Sequence, residues 1–138
     1  MAKRIEYINP KKACPPQGLY SHVTRVNAGT LYFVAGQLSV DRNGKIAGKH
    51  DFARQFRQVF ENLEAVLKGI GTDFKDVVKF TTYLVHSQDI EKFMEQRAAY
   101  FPKIFGKQPY PPNTLLIVDR LVKEDFLLEV EAVVAGRD

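Results

Sequence analysis

The chain has 138 residues, 45% of them hydrophobic, with a formal net charge of +4. That length fits one globular domain with its own core over residues 1–138, and the apolar runs are too short to span a bilayer. The opening MAKRIEYINP carries no apolar segment behind its basic residues, so the expectation is a cytoplasmic protein without a membrane partner.

Cys14 is the one cysteine, which excludes an internal disulfide and leaves an ordinary intracellular thiol. The positive charge would help to attract anions, RNA included. The basic residues are nevertheless scattered among acids, which reads as a solvated surface and argues against nucleic acid as a partner.

Taken in order, residues 4–8 alternate as a short edge strand, and Pro10, Pro15 and Pro16 make residues 9–19 a loop. Residues 23–27 and 31–35 are rich in strand formers and flank Asn27-Ala28-Gly29-Thr30, by residue type a hairpin turn. Gly36 and Gln37 end the second of these strands. Asp41-Arg42-Asn43-Gly44-Lys45 is a further turn, because Asn-Gly readily takes up left-handed backbone geometry.

From Asp51 the period changes. Phe52, Phe56, Val59, Phe60, Leu63, Val66, Leu67 and Ile70 recur at helical spacing, with Asp51 as N-cap and Gly69 or Gly71 as the stop. Residues 77–85 read as a strand. Ser87 is placed to cap a second helix, favoured by Asp89 through the dipole, which runs to about Phe101, or to Ile104 if Pro102 only kinks it. Pro111 and Pro112 then fix an extended entry that sets Asn113 at the mouth of a strand over residues 114–118. A charged turn joins it to a last strand over residues 126–134 as a β-pair.

Two helices and about six strands in this order predict an α+β domain: one mixed sheet with both helices on one face. Two helices cannot cover the other face. Its apolar residues within 114–118 and 126–134 therefore call for burial by further copies of the chain, so a homo-oligomer is expected.

Two features carry chemistry. Arg97 falls on the apolar stripe of the second helix, four residues from both Phe93 and Phe101. It is either a snorkelling or salt-bridged arginine at the rim of the packed face, or a cation aimed into a pocket, where its fork can hold a carboxylate. In the last strand Glu129 and Glu131 share a face with Leu127 and Val133, roughly 6.6 Å apart along the strand. Two carboxylates among aliphatic neighbours resist ionisation, and one can then serve as a general acid or base. The alternative is an ion-paired sheet face with Arg25, Lys79 or Arg120 as partner. His22, His50 and His86 lack metal-ligand spacing, no Gly-rich phosphate loop, CxxC pair or GxSxG elbow is present, and Tyr20 and Ser21 after Gly18 read as loop.

Gly18-Leu19-Tyr20-Ser21, Val34-Ala35-Gly36-Gln37, the helix from Phe52, Val77-Val78-Lys79, and Pro111 through Arg120-Leu121 to Glu129-Val130-Glu131-Ala132 together resemble the RidA family, also called YjgF or L-PSP endoribonuclease-like. The resemblance covers nearly the whole chain in order. It implies a chorismate-mutase-like subunit assembled as a trimer with ligand clefts between subunits, and hydrolysis of reactive enamines and imines to 2-oxo acids and ammonia without metal or cofactor. It further implies that Tyr20 lines the cleft, Gly36 lends its backbone and Glu129 positions the attacking water. The chain departs from the family at Asn113, where the imine deaminases carry an arginine that clamps the substrate carboxylate, at Leu115, where a cysteine is usual, and at Ala35, often a serine. Asparagine forgoes a charge-assisted contact worth roughly 1.5–3 kcal/mol. Arg97, at a helix position near the family's cleft, is the candidate replacement. Three functions follow in order: imine deaminase, small-molecule-binding trimer without this catalysis, and RNA cleavage.

Overall fold

A computed structural model describes residues 4–107 and 109–138. Six strands and two long helices follow one another as β1 (Ile5–Ile8), β2 (Val23–Val26), β3 (Leu31–Gln37), α1 (Phe52–Gly69), β4 (Val77–Leu84), α2 (Asp89–Phe105), β5 (Asn113–Ile117) and β6 (Leu128–Ala135), with a short 3-10 turn at Phe74–Asp76. The architecture is α+β, with both helices on one face of a mixed sheet. Among the described residues no helix is long and apolar enough to cross a membrane.

The sheet is ordered β3-β6-β4-β5. β6 runs antiparallel to both its neighbours, and β5 lies parallel to β4. The parallel pair follows from the α2 crossover, since a parallel neighbour cannot be reached by a tight turn. The burial of β6, alternating as far as Val134, puts Leu128, Val130, Ala132 and Val134 under the helices and turns Glu129, Glu131 and Val133 to the opposite face.

Phenylalanine dominates the core. Phe56 and Phe60 of α1 meet Phe93, Tyr100 and Phe101 of α2, and Phe80 of β4 stacks on Phe60 and Phe101. Ring centroids 5.4–6.1 Å apart and mostly edge-on suit the aromatic quadrupole. Asp51 caps α1 by accepting from the Arg54 amide, as its sequence position predicts. Gly71 then turns the chain with φ 75°.

Four expectations change. First, the six strands do not form one ladder: β1 and β2 pair only with each other. This ribbon hangs on β4 through Tyr7 Oη and Thr24 Oγ1, which donate to the Val77 and Val78 carbonyls. Second, β2 and β3 are not a hairpin. No residue of Asn27–Thr30 has the positive φ that a two-residue hairpin turn requires, so the chain leaves β2 for the free edge of β6. Third, β5 and β6 are not partners, because β6 is already paired on both sides by β3 and β4. Fourth, Ser87 does not cap α2. Gln88 occupies the cap position with no side-chain bond, and the helix continues through Pro102 to Phe105. The Asp41–Lys45 turn holds, with Gly44 at φ 75°.

Candidate functional site

A cavity of about 730 Å³ opens where β2, α2 and the start of β5 converge. Four of the residues singled out from sequence line it: Tyr20, Arg97, Asn113 and Leu115. Arg97 reaches it from α2 with 1% of its surface exposed. Its guanidinium lies 5.1 Å from the Phe93 ring centroid and 6.0 Å from that of Phe101, a cation–π setting that holds the plane of the fork.

No carboxylate within ion-pairing reach answers this charge among the described residues. Nη2 makes only a weak contact to Met94 Sδ at 2.9 Å, and Nε has no partner. Burial pushes the guanidinium down to about 10, a value at which it stays charged at neutral pH. Arg97 is therefore neither snorkelling nor salt-bridged; it is a desolvated cation facing a cavity. Gly18 makes the approach possible, since a Cβ there would lie 2.8 Å from Arg97 Nη2.

Asn113 also lines the cavity, from the start of β5. Thr82 Oγ1 donates to Asn113 Oδ1 at 2.8 Å, which occupies the amide oxygen and leaves the amide nitrogen as the free group. Tyr20 Oη accepts from the Gln17 amide at 3.0 Å, and its ring meets His22 edge-on at 6.2 Å. Ser21 also lines the cavity; its hydroxyl is buried and without a partner. An unpaired cation and unpaired donors in one concavity are what an anion requires.

Gly36 and Glu129 lie elsewhere, together. A side chain at Gly36 would come to 2.0 Å from Glu129 Oε1, so the glycine is what leaves room for this carboxylate. Glu129 lines a recess of about 340 Å³ with Tyr83, Val118, Arg120, Leu121, Val122 and Glu131. Burial, then the charge of Glu131, raises the Glu129 carboxyl above the ordinary range. Tyr83 Oη donates to Glu131 Oε1, and this bond, before burial, raises the phenol. Among the described residues the ion-paired alternative does not hold: Arg25 pairs with Glu6, Arg120 with Glu124, Lys79 forms no ion pair, and neither Glu129 nor Glu131 meets a cation.

Within one chain the named residues thus fall into two groups, Tyr20, Arg97, Asn113 and Leu115 in the cavity and Gly36 with Glu129 on the helix-free sheet face. Sequence reasoning gave Thr82 and Tyr83 no role, read Ser21 as loop within the Gly18–Ser21 motif, and named Lys79 only as an ion-pair partner for the glutamates. The alternation of residues 77–85 sets Tyr83 beside the glutamates once β4 is paired with β6. Ser21 is marked only by its place in the Gly18–Ser21 motif, which does not show that its hydroxyl is buried.

The Endoribonuclease L-PSP family model matches residues 10–136. A RutC family protein of Pyrococcus horikoshii is 38% identical over 129 residues, covering 93% of this chain and 95% of that one. The 2-iminobutanoate/2-iminopropanoate deaminase of Salmonella typhimurium is 29% identical over 138 residues, covering 99% of this chain and all of the relative. Among solved structures, the Rid-family protein YyfB of Yersinia pestis superposes with a TM-score of 0.84 at 29% identity, covering 96% of this chain and 99% of that one. Sequence, length and fold agree, and this chain belongs to the Endoribonuclease L-PSP family, the RidA/YjgF family of the sequence resemblance.

Proposed function

We propose that residues 1–138 form a single RidA-like domain that hydrolyses reactive 2-enamine and 2-imine intermediates to 2-oxo acids and ammonia, with Arg97 holding the substrate carboxylate in place of the strand arginine. The observation that carries this reading is the state of Arg97: buried, charged, without a counter-ion, and aimed into a cavity that Asn113, Tyr20 and Leu115 share. A buried arginine with no partner costs several kcal/mol unless an anion compensates it. The deaminase named among the relatives acts on small 2-imino acids, whose carboxylate is such an anion.

The chemistry then divides between two copies of the chain. Phe33 is 78% exposed on the helix-free face, with Leu116 and Val122 also exposed. Covering that face in a homotrimer would bring the Glu129 recess of one subunit to the Arg97 cavity of the next. Arg97 and Asn113 orient the substrate and Glu129 receives a proton from water. The water oxygen bonds to C2 while the C=N π electrons move to nitrogen. Glu129 returns that proton to nitrogen, giving the carbinolamine; it then takes the hydroxyl proton and passes it to the amine, so that the C–N bond breaks and the carbonyl forms as ammonia leaves. Imine and water give 2-oxo acid and ammonia with no redox change.

A dehydratase supplying imines from serine or threonine provides the test. Wild-type protein is expected to speed 2-oxo acid release over buffer, and Glu129→Ala and Arg97→Ala to abolish the gain. No acceleration by wild type for either imine sinks the reading. The second reading is a small-molecule-binding trimer without turnover, favoured by the absence of Glu129 from the cavity wall. It predicts Arg97-dependent binding of 2-oxo acids with no acceleration.

A further inference from the structure

The Arg97 cavity is lined by several unpaired donors. Three of its acceptors already receive a hydrogen bond. The Val78 carbonyl accepts from Thr24 Oγ1, the Pro112 carbonyl from the Phe80 amide, and Asn113 Oδ1 from Thr82 Oγ1. His22 Nε2 sits 2.6 Å from the Cys14 carbonyl, so that nitrogen carries the proton, and Nδ1 is the one acceptor left among the ring nitrogens.

What remains free is Arg97 Nε, the Asn113 amide nitrogen, the Ser21 hydroxyl, the Tyr20 phenolic proton and Lys79 Nζ. Ser21 is 1% exposed and its hydroxyl has no partner, as with Arg97 Nε. Two unpaired buried groups on residues that line one cavity call for acceptor oxygens, since each costs free energy until it is matched. Lys79 is exposed at the side of the cavity and forms no ion pair among the described residues. No aspartate or glutamate lines the cavity.

We propose that this cavity takes a dianion: a 2-imino or 2-oxo acid with a second acidic group, its first carboxylate held by Arg97 together with Ser21 and its second acid held by Lys79. The proposal rests on the anion-clamp reading of Arg97 and adds the identity of the substrate's far end. The volume agrees. About 730 Å³ lies in the range of pockets for ligands well beyond a three- or four-carbon acid.

Titration calorimetry at low ionic strength with 2-oxopentanoate and 2-oxoglutarate provides the test, because the two acids share a five-carbon chain and differ in the terminal carboxylate. Wild-type protein is expected to bind 2-oxoglutarate about tenfold tighter, the scale of one charge-assisted contact. Lys79→Ala should cost 2-oxoglutarate about tenfold more affinity than it costs 2-oxopentanoate. Ser21→Ala should weaken both acids by a similar factor with an unchanged or raised Tm, because the substitution removes an unmatched hydroxyl; a merely structural serine would instead lower Tm and leave affinity alone. Equal affinity of the two acids for wild type, or a preference that survives Lys79→Ala, overturns the dianion assignment while Arg97-dependent binding of both still supports the clamp. If neither acid binds wild type, the clamp and the dianion fall together.

Discussion

The Arg97 cavity and the Glu129 recess both place charge against apolar surroundings, but one chain completes them to different degrees. Around Arg97, contributions from the Tyr20 loop, α2 and β5 enclose a cation, and only an anion is missing. Around Glu129, the carboxylate lies on an open sheet face beside exposed Val122, with Glu131, Tyr83 and Arg120 as its polar neighbours. On the proposed function, the first is a binding site built within the subunit and the second is half of a site that a neighbouring copy would complete. Recognition and proton transfer are therefore separable by substitution, and each half can be damaged while the other is read.

The largest effect is expected at Glu129. Glu129→Gln should lower kcat by roughly a hundredfold to ten-thousandfold, the usual scale of a general base, while 2-oxo acid affinity at the Arg97 cavity stays as it was. The acid limb of the kcat/KM profile should lie above the ordinary carboxylate range, because burial and Glu131 raise the Glu129 carboxyl; the groups facing it are Glu131, Tyr83 and Arg120. The same shift sets a sign for stability. A carboxyl whose folded pKa is raised contributes stability that is fully present below its unfolded pKa and is lost as pH rises through the folded value. Thermal melts of Glu129→Gln should lack that decline, with Tm at neutral pH equal to or above wild type.

Next in size is Phe33→Glu. A charge placed in the covering contact should weaken self-association by about a hundredfold or more, seen by sedimentation, and turnover should fall with it. Anion binding through Arg97 should persist if the cavity is complete in one chain. Loss of both together would erase the contrast between the two regions.

Arg97→Met keeps the bulk of the side chain and removes the charge. Affinity for 2-oxo acids should fall about tenfold to a hundredfold. Tm should hold or rise, because a buried cation without a counter-ion is gone. The smallest effect is expected for Thr82→Val, which leaves Asn113 free to turn its amide. A loss of about 1 kcal/mol in stability and a few-fold weaker binding are the expected outcomes, measured by denaturant melts and calorimetry.

Much of the fold was legible because its causes are local. The period of Phe52, Phe56, Phe60 and Leu63, with Asp51 ahead of them, specifies α1 without reference to anything distant. The alternation of residues 128–135 likewise specifies which residues share a face, and so places Glu129 with Glu131. Strand pairing was not legible in the same way. Residues 23–27 and 31–35 read as a hairpin on composition, yet β3 pairs with β6, about a hundred residues on, because strand propensity names no partner. The candidate site divides along the same line. Arg97 stood out as a charge on an apolar stripe, whereas Ser21 read only as part of a loop motif and Thr82 carried no local signal at all.

The sequence by itself determined the helices, the parity of the last strand, the departure at Asn113 and the anomaly at Arg97, since each depends on neighbours within a few residues. Only the tertiary structure decided that Arg97 lacks a counter-ion, that Thr82 turns the Asn113 amide into a donor, and that Gly36 exists to admit Glu129. Those facts depend on which distant groups come within a few ångströms of one another, and contact of that kind is set by packing and register rather than by any one stretch of chain.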